Sequence, residues 1–357
     1  MLVIFLSGCV VVIFMVLDFS NRKIRNKILY SVCILMGVMT GFRNHNDWRD
    51  TYGYVASFEK IKTLDLFDVN QDNLLYQEKG FYLLTSSIKT LCNNSTFYLL
   101  CIGLLSSFLL AKNLSRYCLF PFLGLGIYIA RFYMTRDLMQ IRAGLAIMIV
   151  CYAIQYIKRK KLWKYLLIVL LASSMHISVL LAIPFYWINK ININCRKILL
   201  WLFVAFVSAF ICEAFINLLL NEHLEIIKQA YIDGNSEYSK GHGLSNPMIY
   251  FQCLILLVFT FSEKKLKDII PYYFIFRNGY FYSTILLILL SPYLVLSGRT
   301  STIFATFEIF IIPSFIIILS GKLRIAMYLV IGCVMIGIFF LNCLSLIDSS
   351  ATLRNLM

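Results

Sequence analysis

The chain alternates long apolar runs with short basic links, and this alternation limits the folds open to it. A membrane span needs roughly 20 mostly apolar residues, and the chain holds eleven runs of this kind, several of them short. Hydrophobic residues make up 60% of the chain, compared with roughly 45–50% in soluble domains. We therefore expect an all-α, polytopic transmembrane helical bundle of about 10–12 spans, with residues 1–357 forming a single integral membrane domain. The candidate spans are residues 2–18, 27–42, 97–111, 119–133, 138–157, 163–188, 197–220, 248–262, 272–296, 302–320 and 324–346.

The distribution of positive charge predicts how the chain is oriented. A net charge of +15 can indicate nucleic-acid binding, but here the basic residues gather in links between apolar runs, so we expect no nucleic-acid partner. Cytoplasmic links carry an excess of Lys and Arg, and six links hold 19 of the 33 basic residues with only three acidic ones. We expect residues 43–96, the loop 221–247 and both termini to face outward. The cytoplasmic links are residues 18–27, 112–118, 158–164, 189–197, 263–268 and 321–324.

Two segments need a separate interpretation for this orientation to hold. Residues 80–92 should form a helix on the outer face instead of a crossing. The run 163–188 has basic flanks on both sides, so it should enter, break near Met175-His176 and return. A single long crossing is the alternative, and it would place the basic residues of 189–197 outside or invert everything after them.

The cysteines and the N-terminus indicate neither a cofactor nor a cleaved leader. Most of the 11 cysteines lie inside apolar runs, where Cys usually behaves as a small hydrophobe. No C-x-x-C pair or Cys/His cluster predicts a metal site or a disulfide framework. The chain is apolar from residue 2 and lacks a basic n-region and an A-x-A site, so we expect a retained first span.

Ionisable residues stand at the outward ends of several apolar runs. A charge close to hydrocarbon is costly, so such residues mark a functional site by default. The sequence therefore predicts polar chemistry at one membrane face. The residues are Asp50, Arg142, His176 and Arg299, with Arg43, Arg131 and Arg136 nearby.

Five short motifs follow one another through these outward segments. Each motif alone would occur by chance in many membrane proteins, so their order and spacing carry the information. The motifs are D-T-x-x-Y-x-x-x-F (Asp50, Thr51, Tyr54, Phe58), E-x-G-F from Glu78, R-x-G-L-A from Arg142, S-S-M-H ending at His176, and G-R-T-S from Gly298 with Pro313 further on. We expect Arg299 to lie in a turn formed by Ser297–Thr300.

This arrangement resembles the EpsG-like family of Wzy-type polysaccharide polymerases, from about residue 41 to residue 315. The resemblance implies a fold of the GT-C class with its active site at the outer, periplasmic face of the bacterial inner membrane. It also implies two undecaprenyl-pyrophosphate-linked glycans as substrates, a growing chain as donor and a single repeat unit as acceptor. A chain-length regulator protein is a possible partner. The family segment is often written R-x-x-x-G-T-D; here the Gly is missing, and Asp47 competes with Asp50 for the acidic position.

Glycosyl transfer needs a base for the acceptor hydroxyl and positive charge for the leaving pyrophosphate. Asp50 and His176 are the two candidate bases. Planar guanidinium groups bind phosphate oxygens in bidentate fashion, so Arg142 is expected to act in catalysis. No D-x-D-like motif lies in an outer loop, so we expect metal-independent transfer. The remaining residues expected to bind substrate or pyrophosphate are Arg43, Arg131, Arg136, Arg299, Glu78 and Tyr54.

Simpler interpretations stay open for these residues and for the function. Asp50 and Glu78 can merely cap helices that begin after them, and Arg142 can snorkel from a helix end. A flippase for the same lipid-linked sugars would also need basic residues, but it predicts repeats and polar residues near mid-membrane. An O-antigen ligase or another GT-C transferase shares the outer-face site and differs in its acceptor.

Overall fold

The computed structural model describes residues 2–45, 48, 50–63, 78–191, 193–223 and 243–356. The regular structure in these ranges is helical, with no strand. A helix lies on each of the eleven predicted apolar runs, so the prediction of an all-α helical bundle is confirmed. The first half contains α1 (Leu2–Asp18), α2 (Arg22–Gly41), α3 (Thr51–Lys60), α4 (Lys79–Leu91), α5 (Ser95–Tyr117), α6 (Pro121–Tyr128), a π-helical segment (Ile129–Met139), α7 (Ile141–Lys158), α8 (Leu162–Met175), a 3₁₀ helix (Ile177–Ala182) and α9 (Phe185–Ile188). The second half contains α10 (Cys195–His223), a 3₁₀ turn (Gly243–Ser245), α11 (Pro247–Phe261), α12 (Glu263–Leu266), α13 (Tyr273–Leu289), α14 (Leu294–Ala305), α15 (Glu308–Ser314), a 3₁₀ helix (Phe315–Ile318) and α16 (Lys322–Leu356).

Several helices are long and apolar enough to cross a bilayer. Within the described ranges these are α5, α7 and the first part of α16 (Lys322–Leu344). A fourth span results if Leu296–Ala305 and Glu308–Ile318, which meet at 50°, count as one broken crossing. The chain is therefore a multi-pass membrane protein, and the expected total of about 10–12 spans, which also counts shorter apolar helices, stays a prediction.

The helix directions bring four helix ends together. Gly37 of α2 and Gly103 of α5 let these antiparallel helices touch, because a Cβ on Gly37 would lie 2.9 Å from the Gly103 carbonyl oxygen. Helices α5 and α7 run parallel, since Asn113 donates to the Met148 carbonyl at 3.0 Å and Tyr117 to the Tyr152 carbonyl at 3.4 Å. Helix α8 returns antiparallel to α7. The end of α2, the starts of α5 and α7, and the end of α8 therefore share one end of the bundle.

Helices α3 and α4 lie across these four ends. They contribute to a second hydrophobic cluster, separate from the main core, which also takes in the starts of α5 and α7. The Lys89 ammonium on α4 donates to the last carbonyls of α3, those of Phe58 and Glu59, both at 2.8 Å. Helix α4 matches the expected helix at 80–92; its placement on the membrane surface stays a prediction. The cluster comprises Tyr54, Val55, Phe58, Ile61, Phe81, Tyr82, Ile88, Tyr98, Leu99, Ile102 and Ile141.

The predicted break near Met175-His176 is confirmed. Helix α8 ends at Met175, and His176 is extended, with φ −156° and ψ 118°. The chain then doubles back, because Tyr165 near the start of α8 donates to the Ala182 carbonyl at 2.6 Å. The Tyr165 and Tyr186 rings also lie 5.6 Å apart. His176 is therefore at the apex of a hairpin, and the entry of this hairpin into the membrane stays a prediction.

The basic links at 18–27, 112–118 and 158–164 lie at the other end of the bundle. Two of the three carboxylates in the predicted cytoplasmic links are engaged there. Asp18 accepts from the backbone N–H groups of Phe122 and Leu123, both at 2.9 Å, and so caps α6. Glu263 pairs with Arg277 at 2.6 Å. The bundle therefore has one strongly basic end and one end that carries the sequence motifs.

Candidate active site

The Glu78 carboxylate joins two of the predicted catalytic residues. Its Oε1 lies 3.2 Å from Nδ1 of His176, and its Oε2 accepts a hydrogen bond from the Arg142 guanidinium. The three side chains are only 12–16% exposed. They come from the start of α4, the start of α7 and the end of α8, so helix packing brings them together. We call these three residues and Tyr54 the Glu78 cluster.

The buried Tyr54 side chain also contacts Arg142. The Arg142 Nε donates to the Tyr54 hydroxyl at 3.3 Å, and the guanidinium carbon lies 5.7 Å from the centre of the Tyr54 ring. Burial raises the pKa of Tyr54, so the phenol stays neutral at physiological pH. The guanidinium is therefore held in position by a carboxylate and a phenol.

The charge on Glu78 determines which nitrogen of His176 carries the proton. Burial alone would raise the pKa of Glu78, but the hydrogen bond to His176 and the charge of Arg142 lower it to about 2. An ionised carboxylate only accepts hydrogen bonds, so Nδ1 of His176 must be the protonated nitrogen. In a neutral imidazole the lone pair is then on Nε2, the nitrogen turned away from Glu78.

Two motif glycines allow the helices to come close enough for these contacts. A Cβ on Gly80 would lie 2.6 Å from the Cβ and 2.8 Å from the carbonyl oxygen of Ser174, two residues before His176. A Cβ on Gly144 would lie 2.9 Å from the Arg136 carbonyl oxygen. The glycines of E-x-G-F and R-x-G-L-A thus place Glu78 and Arg142. Gly80 and Ser174 were not among the candidate site residues, although the motif spacing contained a signal for Gly80.

Arg43 lies beside the Glu78 cluster and connects α2 to α3. Its Nε donates to the Thr51 hydroxyl at 3.1 Å and its Nη1 to the Thr40 carbonyl at 2.6 Å. Thr51 in turn donates to the Leu138 carbonyl at 3.0 Å. The Nη2 of Arg43 is buried and has no hydrogen-bond partner among the described residues. Arg43 is therefore a buried cation with one donor to spare, and its partner Thr51 lies one helical turn before Tyr54 on α3.

Asp50 precedes α3 but does not act as a side-chain cap. It occupies the N-cap position, yet its carboxylate makes no capping hydrogen bond. It is close enough to Tyr54 to affect the Tyr54 hydroxyl electrostatically. Asp50 therefore borders the Glu78 cluster without joining its hydrogen bonds. Its competitor Asp47 lies outside the described residues.

Arg131 points away from the Glu78 cluster. Its Nε lies 3.0 Å from Oε2 of Glu308, a fully buried carboxylate at the start of α15. Tyr280 of α13 donates to the other Glu308 oxygen at 2.9 Å. The pair joins the π-helical segment to the break between α14 and α15.

Arg136 binds the same break. It donates to the Thr306 hydroxyl at 2.7 Å and to the Thr302 carbonyl at 2.8 Å, and so compensates the helix interruption. Arg299 is exposed on α14. The turn expected at Ser297–Thr300 is wrong, because these residues are helical. The structure therefore brings together Tyr54, Glu78, Arg142 and His176, with Arg43 and Asp50 adjacent, and places Arg131, Arg136 and Arg299 elsewhere.

Comparisons with known proteins bear on the whole chain. Within the described ranges, no group of three or more His, Cys, Asp or Glu residues could hold a metal ion. No curated protein matches the chain significantly, and no solved structure does, so the likeness to the GT-C class stays a prediction. The family model described as EpsG matches residues 26–353. The match covers nearly the whole chain, including every motif of the Glu78 cluster, and the protein therefore belongs to the EpsG family, whose members are Wzy-like polymerases.

Proposed function

We propose that this protein is a polysaccharide polymerase that transfers a glycan from an undecaprenyl-pyrophosphate-linked chain to a lipid-linked repeat unit at the periplasmic face of the inner membrane. The observation that carries the proposal is the Glu78 carboxylate, which contacts both His176 and Arg142. An imidazole oriented by a carboxylate is a general base, and the adjacent guanidinium is suited to a pyrophosphate leaving group. Membership of the EpsG family supports a polymerase of this type.

His176 is the base in this proposal, and Asp50 is not. Glu78 holds Nδ1, so Nε2 is the nitrogen that can accept the proton of the acceptor hydroxyl. The hydroxyl oxygen forms a bond to the anomeric carbon of the donor glycan, and the bond from that carbon to the pyrophosphate oxygen breaks. The electron pair leaves with undecaprenyl pyrophosphate, and the hydroxyl proton passes to His176.

Arg142 stabilises the negative charge that develops on the pyrophosphate. A guanidinium presents its N–H donors as a rigid fork that matches phosphate oxygens. Tyr54 and Glu78 fix its plane before substrate binds, and fixed positive groups are commonly the largest catalytic term. Arg43, buried close to Tyr54, adds a second positive charge. Arg131, Arg136 and Arg299 are not needed for this step.

The position of the cluster in the bundle supports a periplasmic reaction. It lies at the end of α7 opposite the basic link 158–164, and basic links face the cytoplasm. The same end carries the apex of the hairpin at His176. Lipid carriers in the outer leaflet would present their pyrophosphates at this level.

The proposal is tested by the length of glycan made in a deletion strain. Wild type, His176→Ala, Arg142→Ala, Glu78→Gln and Asp50→Asn are compared at matched membrane levels, with exposed Asp268→Asn at the basic end as control. Wild type and Asp268→Asn should restore a ladder of long chains. His176→Ala and Arg142→Ala should leave single repeat units, because loss of a general base or an oxyanion donor costs about 10²–10⁴ in rate. Asp50→Asn should retain long chains.

Other outcomes would contradict specific parts of the proposal. Long chains from His176→Ala, with none from Asp50→Asn, would reassign the base to Asp50. A deletion strain without even a single repeat unit on the lipid core would indicate a defect in supply, flipping or ligation. A deletion strain that still makes polymer on its carrier would indicate a ligase.

A further inference from the structure

One side of α5 changes from apolar to cationic towards the basic end. Leu105, Phe108, Lys112 and Arg116 follow at spacings of three, four and four residues, so they form one stripe on the helix. Leu105 is 40% and Phe108 43% exposed, although their helix is one of the candidate spans. The stripe therefore faces the lipid with apolar side chains and ends in two cations near the membrane boundary.

The cations at the end of this stripe converge on an aromatic residue of the neighbouring helix. The Lys112 Nζ lies 4.7 Å and the Arg116 guanidinium carbon 5.5 Å from the centre of the Tyr152 ring on α7. Tyr156 follows one turn later on α7, with ring centres 6.5 Å apart. The Arg159 guanidinium carbon lies 6.0 Å from the Tyr156 ring. Three cations and two tyrosines thus lie close together where α5 packs beside α7, and we call the surface formed by Lys112, Arg116, Tyr152, Tyr156 and Arg159 the α5–α7 groove.

Among the residues that the structure describes, no carboxylate forms an ion pair with these cations. The ion pairs among the described residues belong to Glu78, Glu263 and Glu308, and none includes Lys112, Arg116 or Arg159. At the same end Asp18 caps α6 and Glu263 holds Arg277. Three like charges in one groove repel one another. The bias of cytoplasmic links explains why basic residues are abundant here, but it does not explain why these three gather around two neighbouring tyrosine rings.

We propose that this groove binds the headgroup phosphate of an anionic phospholipid from the leaflet at the basic end. Lys112, Arg116 and Arg159 contact the phosphate, and the ring of Tyr152 forms the floor beneath the cations. An acyl chain lies along Phe108 and Leu105. A soluble phosphate would use the cations but not the exposed apolar stripe that continues from them, whereas a phospholipid uses both. Basic pockets between spans bind anionic headgroups in this way.

The purified full-length protein allows a direct test. Native mass spectrometry counts the lipids retained from an equal mixture of phosphatidylglycerol and phosphatidylethanolamine. Wild type should retain phosphatidylglycerol preferentially. The double variant Lys112→Gln/Arg116→Gln should weaken that retention about 25-fold, because each cation near an anionic headgroup contributes about a factor of five. The matched control is Lys264→Gln/Lys267→Gln, which removes two exposed cations at the same end and should stay within about twofold of wild type.

Two results would overturn the proposal. Equal losses in the two double variants would show that diffuse charge attracts the lipid, and equal retention of both lipids by wild type would show that no anionic site exists. Tyr152→Leu serves as a second variant, since it keeps all three cations while removing the ring. It should weaken phosphatidylglycerol retention two- to fivefold, and unchanged retention would exclude the tyrosine floor. The experiment does not depend on glycan transfer, so it stands apart from the proposed polymerase activity.

Discussion

At the scale of single residues, Glu78 organises the site. It is the only residue of the Glu78 cluster that touches both the imidazole and the guanidinium in the described contacts. Its low pKa keeps it a pure acceptor, which determines the tautomer of His176 and the orientation of Arg142. Arg131, by contrast, holds a carboxylate that helps to build the fold. Two arginines eleven positions apart thus have different roles because their carboxylate partners differ.

Glu78→Gln should destabilise the protein in a pH-dependent way. The pKa of Glu78 is about 2 in the folded protein, compared with its ordinary 4.5. A lowered carboxyl pKa adds stability above the unfolded value, and that stability is lost as pH falls from about 4.5 to about 2. We expect a deficit on the order of 1–2 kcal/mol at pH 7, allowing for solvent screening, that shrinks towards pH 3. Thermal unfolding in detergent at pH 7, 5 and 3 measures it. Exposed Glu59→Gln is the control, and a deficit independent of pH would refute the linkage.

Arg131→Ala should destabilise the fold by about 3–5 kcal/mol, because it leaves the buried Glu308 carboxylate without its partner. The double variant Arg131→Ala/Glu308→Gln should recover most of this loss and should restore long glycan chains. Denaturation midpoints and the glycan ladder are measured on the same preparations. A stable Arg131→Ala protein that makes only single repeat units would instead assign Arg131 to substrate binding.

At the scale of elements, α4 connects the parts of the site, because it contacts α8 at one end and α3 at the other. Its first turn carries Glu78 and Gly80 against the end of α8, and Lys89 near its other end holds the last carbonyls of α3. Helix α3 in turn carries Tyr54 to Arg142. A small displacement of α4 would therefore disturb His176 and Tyr54 together.

Gly80→Ala should disrupt the site, and Gly298→Ala should not. The new Cβ at position 80 would be 2.6 Å from the Cβ of Ser174 and 2.8 Å from its carbonyl oxygen, so α4 must move and the contact from Glu78 to His176 opens. We expect a stability loss of about 1–3 kcal/mol and single-repeat-unit glycans. Gly298 on α14 has open space around it, so an alanine there should stabilise the helix by up to about 1 kcal/mol. Similar unfolding temperatures and glycan ladders for the two variants would contradict the role of Gly80.

At the scale of the whole molecule, the bundle has two chemically different ends. One carries the Glu78 cluster under α3 and α4, and the other carries the basic links, Asp18 and the α5–α7 groove. The parallel packing of α5 and α7 produces this difference between the two ends, because each helix begins at the site and ends in basic residues. The orientation rule then predicts that the site faces outward.

Reporter fusions test this orientation and the hairpin. Alkaline phosphatase, active only outside, and green fluorescent protein, fluorescent only inside, are fused after Asn93, Lys160 or Lys190. We expect phosphatase activity after Asn93 and fluorescence after Lys160, since basic links such as 158–164 usually face the cytoplasm. Fluorescence after Lys190 is expected because the chain returns at His176. Phosphatase activity after Lys190 would support a single long crossing, and reversed signals at Asn93 and Lys160 would place the site in the cytoplasm.

Local properties of the chain were enough to predict the helices, the break and the family. Apolar runs predicted where helices form, because backbone groups in lipid must be satisfied within the segment. The basic flanks of 163–188 predicted the return at His176, and the ordered motifs indicated the EpsG family. The helical Ser297–Thr300 was missed, because a polar stretch between two apolar runs is typical of a turn and its helix is stabilised by tertiary contacts.

The partners of each charge were decided by the tertiary structure. Sequence position placed Arg131, Arg136 and Arg142 together, yet the π-helical segment turns the first two towards α14 and α15 while Arg142 begins a new helix towards Glu78. Hydropathy and charge specify which residues form a helix and which end they reach. Which ends meet depends on close helix contacts such as Gly80 against Ser174. Those contacts join residues nearly a hundred positions apart, a distance over which no local pattern carries information.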